Sequence, residues 1–378
     1  MSLSRVNTRL SVSLGLLLVN AACINDEPPA RCGRSGTVRL ATSAFLSVEL
    51  ELSRDFVYAL QGAYREDGAP YMSVARYSVD DLSVERFVPE SGTVTEITSS
   101  GSGLYFNVGD RIWGDQPRDG GPRPIVGQWS EVWYWPDGGK PSRLSEQDWL
   151  IFSLEAWGDG VLAQYLRDDD TVIASLSREG TWTEFHAFPE TKADVNMLGD
   201  GEQLYVYLQS WGRDALYRFD RKGKVLDLHE AVSTNPELKA QSIFSVDGYL
   251  YVDLRGPIRT DLYIPAYGDL LEIAPDGTAT TLVGWENRGR ASLAADSSTV
   301  FYAMQPAVEK EPADAGQIRM QVRRGEELQV FREGLVGPTA LAADDWRLVV
   351  EQPSAEEQRV YHLDLTMRRT GSEVPGCG

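Results

Sequence analysis

The chain has 378 residues, of which 42% are hydrophobic, and it carries a formal net charge of −20 at pH 7. An acidic surface of this size repels nucleic-acid phosphates and anionic lipid headgroups. We therefore expect no nucleic-acid partner, and no membrane contact except through a covalent anchor.

The first 22 residues predict a signal peptide. Arg5 and Arg9 form a basic start, and residues 10–19 form an apolar run that is too short for a spanning helix of about 20 residues. The small residues before Cys23 resemble the bacterial lipoprotein signal, in which such residues precede a cysteine that becomes lipid-modified. Asn20 departs from that signal, because an aliphatic residue is usual there.

This resemblance implies lipidation at Cys23 and a flexible tether over residues 23–35. The folded domain, residues 36–378, would then stand clear of the membrane. We expect an exported monomer that is lipid-anchored in the bacterial cell envelope, at the outer membrane or cell surface. The alternative is a secreted protein cleaved after Ala22.

The rest of the chain repeats one phrase about seven times, and each copy holds several short apolar strands separated by turns. An apolar-aromatic or apolar pair starts the second strand of each copy, 43 to 57 residues after the previous one. The pairs are Val57/Tyr58, Leu104/Tyr105, Val161/Leu162, Leu204/Tyr205, Leu250/Tyr251, Val300/Phe301 and Leu348/Val349. A period of this length with only strands is typical of a β-propeller.

We therefore predict an all-β fold: a single seven-bladed propeller of four-stranded antiparallel blades, with six or eight blades as alternatives. Two packed sandwiches remain a further alternative, because alternation alone marks any all-β protein. Turns with glycine are expected after the third strands, at Gly138, Gly180, Gly223, Gly277 and Gly325. The chain as a whole resembles the broad group of bacterial propeller lipoproteins, whose degenerate repeats imply no particular activity.

Two cysteines remain after Cys23 is assigned to the lipid. Cys32 precedes the first predicted strand and Cys377 lies near the end of the chain. Exported proteins favour disulfides, and the two ends of a ring must meet. We predict a disulfide between Cys32 and Cys377.

Ligands of propellers usually bind on the face that carries the second-to-third strand connections and the connections between blades. Three second-to-third connections are long: Gly109–Gln128, Arg255–Gly268 and Gln305–Ala315. We expect these connections to be loops without strands of their own, and such long loops more often have a function than not. The arginine and aromatic residues predicted for a ligand site on this face are Arg111, Trp113, Trp129, Trp211, Arg213, Arg259, Tyr263, Tyr267, Trp285, Asn287 and Arg288. Six other tryptophans, Trp157 among them, were assigned to blade packing or the surface.

The functional hypothesis is a non-catalytic binding or scaffold protein that recognises a protein, peptide or glycan at the cell envelope, without a cofactor. The alternative is a propeller-type hydrolase, lyase or lactonase with Ca²⁺ or another divalent cation at the central channel. Asp148, Asp194 and Asn287 are the oxygen-bearing residues that the repeats place near such a site. The three histidines fall in different repeats, which argues against a histidine metal cage.

Overall fold

The computed structural model describes residues 37–43, 45–65, 68–113, 125–210, 213–230, 238–246, 248–256, 258–259, 264–265, 267–286, 288–295, 299–307, 316–321, 329–336, 338–344, 347–354, 357 and 360–367. The predicted signal peptide, tether, lipidation site Cys23 and disulfide partners Cys32 and Cys377 lie outside these residues. Within the described part of the chain, no helix is long and apolar enough to cross a membrane.

The described chain is built from thirty strands. The first nine are β1 (Thr37–Ser43), β2 (Ser47–Leu52), β3 (Phe56–Tyr64), β4 (Pro70–Ser78), β5 (Val84–Phe87), β6 (Thr93–Ser99), β7 (Gly103–Trp113), β8 (Ile125–Pro136) and β9 (Ser142–Gln147). The next ten are β10 (Ile151–Trp157), β11 (Gly160–Arg167), β12 (Asp170–Leu176), β13 (Trp182–Phe188), β14 (Asp194–Gly199), β15 (Gln203–Ser210), β16 (Arg213–Asp220), β17 (Val225–Glu230), β18 (Lys239–Val246) and β19 (Tyr249–Arg255). The last eleven are β20 (Ile258–Arg259), β21 (Ile264–Pro265), β22 (Tyr267–Ile273), β23 (Ala279–Glu286), β24 (Arg288–Ala295), β25 (Val300–Ala307), β26 (Gly316–Gln321), β27 (Gln329–Leu335), β28 (Ala340–Ala343), β29 (Arg347–Pro353) and β30 (Tyr361–Met367).

These strands form seven four-stranded antiparallel sheets and one two-stranded ribbon. Six sheets each come from one continuous stretch of chain and are numbered here as blades: β2–β5 (blade 1), β6–β9 (blade 2), β10–β13 (blade 3), β14–β17 (blade 4), β18, β19, β22 and β23 (blade 5), and β24–β27 (blade 6). The first strand of each blade is innermost, and the innermost strands lie side by side around a channel.

The remaining sheet corrects the predicted count of seven blades, because it is not a seventh copy of the continuous four-stranded unit. Its strand order is β1-β30-β29-β28, so the last copy of the phrase supplies three strands and the start of the described chain supplies the fourth. Only six complete blades are therefore continuous, and the sheet that closes the ring is composite. The repeat pattern missed this because β1, as the outermost strand of a sheet, carries no second-strand pair of its own.

The composite blade is held to blade 1 at both ends of the channel. Toward one end, the buried Glu351 carboxylate accepts hydrogen bonds from the Ser47 N–H and hydroxyl. Toward the other end, the Arg347 guanidinium donates to the carbonyls of Ser53 and Arg54 at 2.5 and 3.2 Å. Leu40, Leu363 and other apolar residues of the composite blade pack against blade 1 between these two contacts. Ring closure thus combines strand pairing, a core and two polar clamps.

The hydrophobic core is divided among the seams between neighbouring sheets. Each of the seven apolar clusters joins residues of two adjacent sheets; one, for example, packs Tyr58 and Leu60 of blade 1 against Ile97 and Phe106 of blade 2. The pairs that the sequence singled out are almost all buried, since they face these seams from the second strands. Their regular spacing therefore reports seam packing, as predicted.

Turn glycines confirm part of the predicted pattern. Gly180, Gly223 and Gly277 have φ values of +83°, +78° and +84°. Gly138 is not among the glycines with positive φ, and Gly325 lies outside the described residues.

We expect Gly223→Ala to destabilise the protein by about 2–4 kcal/mol. The alanine would be strained at positive φ, and its Cβ would lie 2.3 Å from the backbone oxygen of Phe185 in blade 3. Gly201→Ala is the matched control, because Gly201 has φ +89° with no heavy atom within 4 Å of the added Cβ; it should lose only about 1 kcal/mol. Equal losses in urea unfolding would contradict a steric contribution from Phe185.

Candidate functional site

One face of the ring carries two insertions, of which the β7–β8 hairpin of blade 2 projects beyond its blade. This loop face is the end at which second strands turn into third strands and each blade passes to the next. In blade 2 the β7–β8 ladder runs from Gly109 opposite Ser130 out to Trp113 opposite Ile125, whereas the inner strand β6 starts at Thr93 opposite Gly109. Four residues of β7 therefore extend beyond the blade by about 13 Å at 3.3 Å per residue.

The second insertion lies in blade 5, between β19 and β22. It contains the ribbon of β20 and β21, in which Ile258 pairs with Pro265 and Arg259 with Ile264. The expectation that these two connections carry no strands of their own is therefore wrong. The residues that pair in these two insertions show no alternation of apolar and polar side chains. The sequence therefore did not predict their strands.

The structure describes eight of the eleven residues predicted on this face, six of them by their backbone alone. Arg111 and Trp129 are half-buried on the two strands of the blade 2 hairpin. The backbones of six more lie in strands, while their side chains fall outside the described part: Trp113, Arg213, Arg259, Tyr267, Trp285 and Arg288. Trp211, Tyr263 and Asn287 lie outside the described residues, so convergence of the set on one mouth stays a prediction.

Trp129 anchors the base of the hairpin. Its side chain packs against the core between blades 1 and 2, and a Cβ added at Gly92, which has φ +68°, would lie 2.9 Å from its ring. Arg65 of blade 1 reinforces the same place by donating to the carbonyls of Glu90 and Gly92. Trp129 therefore supports the projecting strands through packing.

An ion pair that the sequence analysis missed lies near the start of the blade 5 insertion. Asp253 is fully buried on β19, and Arg255 binds its Oδ2 through Nε and a terminal nitrogen, both at 3.1 Å. Burial lowers the pKa of Arg255 to about 10. The two residues lie two apart on one strand and so share a face, an alternation that could have indicated the pair.

The channel carries a row of bonds between blades 1 and 4. Equivalent side chains on successive inner strands each accept a backbone N–H from the next blade: Glu51 from Ser99 at 3.3 Å, Thr98 from Ala156 at 3.2 Å, and Glu155 from Gly199 at 2.8 Å. In the remaining sheets the equivalent residues are apolar: Leu198, Phe244, Ala294 and Ala342. In those sheets the bonded row is thus replaced by apolar residues that belong to the seam clusters.

The two glutamates of this row, Glu51 and Glu155, both have raised pKa values. Burial is the main cause that raises the pKa of Glu155 to about 8; the Gly199 N–H lowers it, and the charge of Glu51 raises it further. Burial likewise raises the pKa of Glu51. A proton on Glu155 at neutral pH follows from this arrangement.

Two of the three predicted metal candidates, Asp148 and Asp194, lie within the described residues, and Asn287 lies outside them. Asp148 is exposed in the connection between β9 and β10, whereas Asp194 is half-buried at the start of β14. Among the residues that the structure describes, no group of three or more His, Cys, Asp or Glu side chains is arranged to hold a metal ion.

Two surface cavities open toward the face opposite the loop face. The first, of about 600 Å³, lies between blades 1 and 2 and includes Arg76, Arg86 and Lys140. Arg76 forms an ion pair with Glu85, and its guanidinium lies over the rings of Phe56 and Trp135. Its positive charge therefore already has partners within the protein. The second cavity, of about 770 Å³, lies on blade 3 beside Trp157.

No protein-family model and no curated protein matches this chain. Solved structures do match: one is the β-propeller domain of the Trilobed protease from Pyrococcus furiosus, with a TM-score of 0.55, 11% identity, and coverage of 88% of this chain and 98% of that chain. The chain is a β-propeller. The Pyrococcus furiosus domain is described as having an open velcro topology, whereas β1 and β30 pair in this propeller.

Two further similarities cover most of the propeller. The WD40 domain of coronin from Toxoplasma gondii has a TM-score of 0.52 and 12% identity over 92% of this chain and 87% of that one. An acylaminoacyl peptidase from Pyrococcus horikoshii has a TM-score of 0.54 and 11% identity over 82% of this chain, which spans only 50% of the peptidase. At such identities the similarity establishes the fold alone.

Proposed function

We propose that this protein is a non-catalytic binding propeller whose loop face recognises a protein partner. The observation that carries the proposal is the β7–β8 hairpin, which extends four residue pairs beyond its blade. A two-stranded projection contributes nothing to the seams of the ring, yet it offers side chains on both faces and backbone edges to a partner.

The composition of the hairpin supports the same function. Arg111 and Trp113 lie within its projecting part, and arginine and tryptophan are enriched at the centres of protein interfaces. Their local positive charge and aromatic area contrast with a chain of net charge −20. The blade 5 ribbon of β20 and β21 is a second insertion on the same face, and its strand β21 contacts β24 of blade 6.

The remaining parts of the proposal concern location. We propose export, anchoring through lipid on Cys23, and a partner at the bacterial cell envelope, with the propeller as a monomer and without a cofactor. Similarity to peptidase propeller domains and to a WD40 domain is consistent with protein binding. The divalent-cation hydrolase remains the alternative, and one tightly held ion per chain in elemental analysis would favour it.

Photo-crosslinking in cells tests the loop face. A photoreactive amino acid at Gln128 on the hairpin should give a discrete crosslinked partner, whereas the same group at Lys222, in an exposed turn at the opposite face, should not. Replacing the residues between Arg111 and Gln128 with Asn-Gly, which suits a two-residue hairpin turn, should abolish binding of the isolated partner. Trp129 is retained in that variant so that the core stays intact.

The melting temperature of the shortened variant is the control. It should stay within a few degrees of the parent, since the described residues that are removed, Ile112, Trp113 and 125–127, lie beyond the end of the inner strand β6. The proposal is wrong if Lys222 gives the same adducts as Gln128, or if the shortened protein binds the partner as tightly as the parent.

A further inference from the structure

The second cavity differs chemically from the loop face. It lies at the opposite end of blade 3, where the β10–β11 turn and the β12–β13 turn meet, and its volume of about 770 Å³ falls in the range of small-molecule sites. Its walls include Trp157, Asp159, Glu179, Thr181 and Thr183. One large aromatic ring is thus combined with two carboxylates and two hydroxyls.

Trp157 is the aromatic wall of this cavity. It ends the inner strand β10 and is half-buried, with Phe185 edge-on at 6.2 Å and Gly199 of blade 4 packed against its ring. Within the described part of the chain, its indole N–H has no hydrogen-bond acceptor, and it is absent from the buried unpaired atoms. The ring is therefore fixed by its neighbours while its polar edge stays open to solvent.

The polar groups around Trp157 are available to a ligand. Thr181 and Thr183 are exposed, and no described residue bonds to their hydroxyls, since Ser175 donates instead to the Thr183 carbonyl at 3.2 Å. Asp159 is exposed as well. The Ser177 hydroxyl lowers the pKa of Glu179, so this carboxylate is charged at neutral pH.

Arg178 does not neutralise the two carboxylates by a contact in the described structure. Its guanidinium donates to the hydroxyls of Tyr105 and Ser102, both at 3.2 Å, and lies 4.8 Å from the ring centre of Tyr134 in blade 2. Arg178 also lines the cavity and acts electrostatically on Asp159 and Glu179, but it forms no ion pair with either of them. Two carboxylates against one guanidinium leave an excess of negative charge in the lining, which disfavours uronic acids, sialic acids and phosphates.

We infer that this cavity binds a neutral hexose unit of a glycan, with the sugar ring packed on Trp157 and its hydroxyls bonded to Asp159, Glu179, Thr181 and Thr183. A pyranose has one apolar C–H face, which suits an indole, and a rim of hydroxyls that donate to carboxylates and exchange hydrogen bonds with threonines. The cavity volume accommodates a mono- or disaccharide. This inference does not depend on the proposed function of the loop face.

Calorimetric titration with cellobiose, maltose and the neutral N,N′-diacetylchitobiose, with glucuronic acid as the anionic comparison, tests the inference. At least one neutral disaccharide should bind in the micromolar to millimolar range, and glucuronic acid should not. Trp157→Ala should weaken binding at least tenfold. Because Trp157 also touches the seam between blades 3 and 4, Thr183→Val is the second variant, with an expected loss of about threefold to tenfold at an unchanged melting temperature.

Thr280→Val is the matched control. Thr280 is exposed at the second position of β23 in blade 5, as Thr183 is in β13 of blade 3, and its replacement should leave the affinity unchanged. The inference is overturned if none of the three disaccharides binds, if glucuronic acid binds as tightly, or if Thr183→Val and Thr280→Val have the same effect.

Discussion

Replacing Glu351 with alanine should destabilise the propeller by about 3–5 kcal/mol. The Glu351 side chain is 1% exposed, and it accepts the Ser47 N–H at 2.9 and 3.1 Å, the Ser47 hydroxyl at 2.5 Å and the Thr339 hydroxyl at 2.9 Å. Alanine would leave these buried donors without an acceptor and would open a cavity where the composite blade meets blade 1.

The loss should spread through a second layer of bonds. Gln61 donates to the Ser47 hydroxyl at 3.2 Å and to the Tyr77 hydroxyl at 3.0 Å, while Arg86 donates to Gln61 at 2.8 Å. Releasing Ser47 thus loosens contacts that connect all four strands of blade 1.

Urea unfolding of Glu351→Ala and Glu351→Gln measures the effect. Glutamine keeps one carbonyl oxygen, and because burial raises the pKa of Glu351, removal of the charge offsets part of the lost bonding. We expect a loss of about 1 kcal/mol for glutamine. If both variants unfold within 0.5 kcal/mol of the parent, on the order of the measurement's error, the polar clamp does not stabilise ring closure.

Glu155→Gln should have the opposite sign and should change how stability depends on pH. The folded-state pKa of Glu155, about 8, lies above the value of 4.5 for an unperturbed glutamate. Between these values the folded state holds a proton that the unfolded state has released, so stability falls as the pH rises through this window and is level above it.

Glutamine cannot ionise, but its amide oxygen can still accept the Gly199 N–H. We expect the variant to match the parent near pH 4.5 and to exceed its stability by roughly 2 kcal/mol at pH 8, a figure reduced for the partial access of water to the channel. Glu202→Gln is the control, since the Glu202 side chain is 79% exposed. A parent whose unfolding free energy stays level from pH 5 to 8 would contradict the prediction.

Glu51 provides an internal check. Its charge contributes to the raised pKa of Glu155, so Glu51→Gln should lower that pKa and narrow the pH window without abolishing it. Independent pH dependences in the two single variants would mean that the carboxylates do not interact.

The sequence was informative about the seams and uninformative about the channel. Val57, Leu104 and the other second-strand pairs repeat because every seam needs the same apolar residues, and a period of alternation makes them visible. Glu51, by contrast, alternates with Leu50 and Leu52 as any half-exposed strand residue would. The position of Glu51 becomes enclosed only when the ring closes, and no local sequence pattern predicts that closure.

The loop face was likewise only partly predictable from the sequence. Length and composition identified the long connection of blade 2. The ladder from Gly109 to Trp113, however, forms through backbone hydrogen bonds, which the sequence of these residues does not predict. The sequence predicts only that Trp157 packs in a blade or lies at the surface, because nothing in the residues around a tryptophan at a strand end indicates what surrounds its ring. The turn and strand that place hydroxyls beside it come from another part of blade 3.

The pairing of β1 with β30 also determines when the ring of the propeller can close. Arg39 and Asp364, which bond across this pair, are 325 residues apart, so the first described strand must wait for nearly the whole chain to be made before it finds its partner. Until the two strands pair, the outer edge of β30 and the apolar side of Leu40 are open to other chains. We expect ring closure to be slow, because it joins residues that are so distant in sequence, and we expect an unclosed ring to be prone to aggregation, so this is the step that a chaperone would protect.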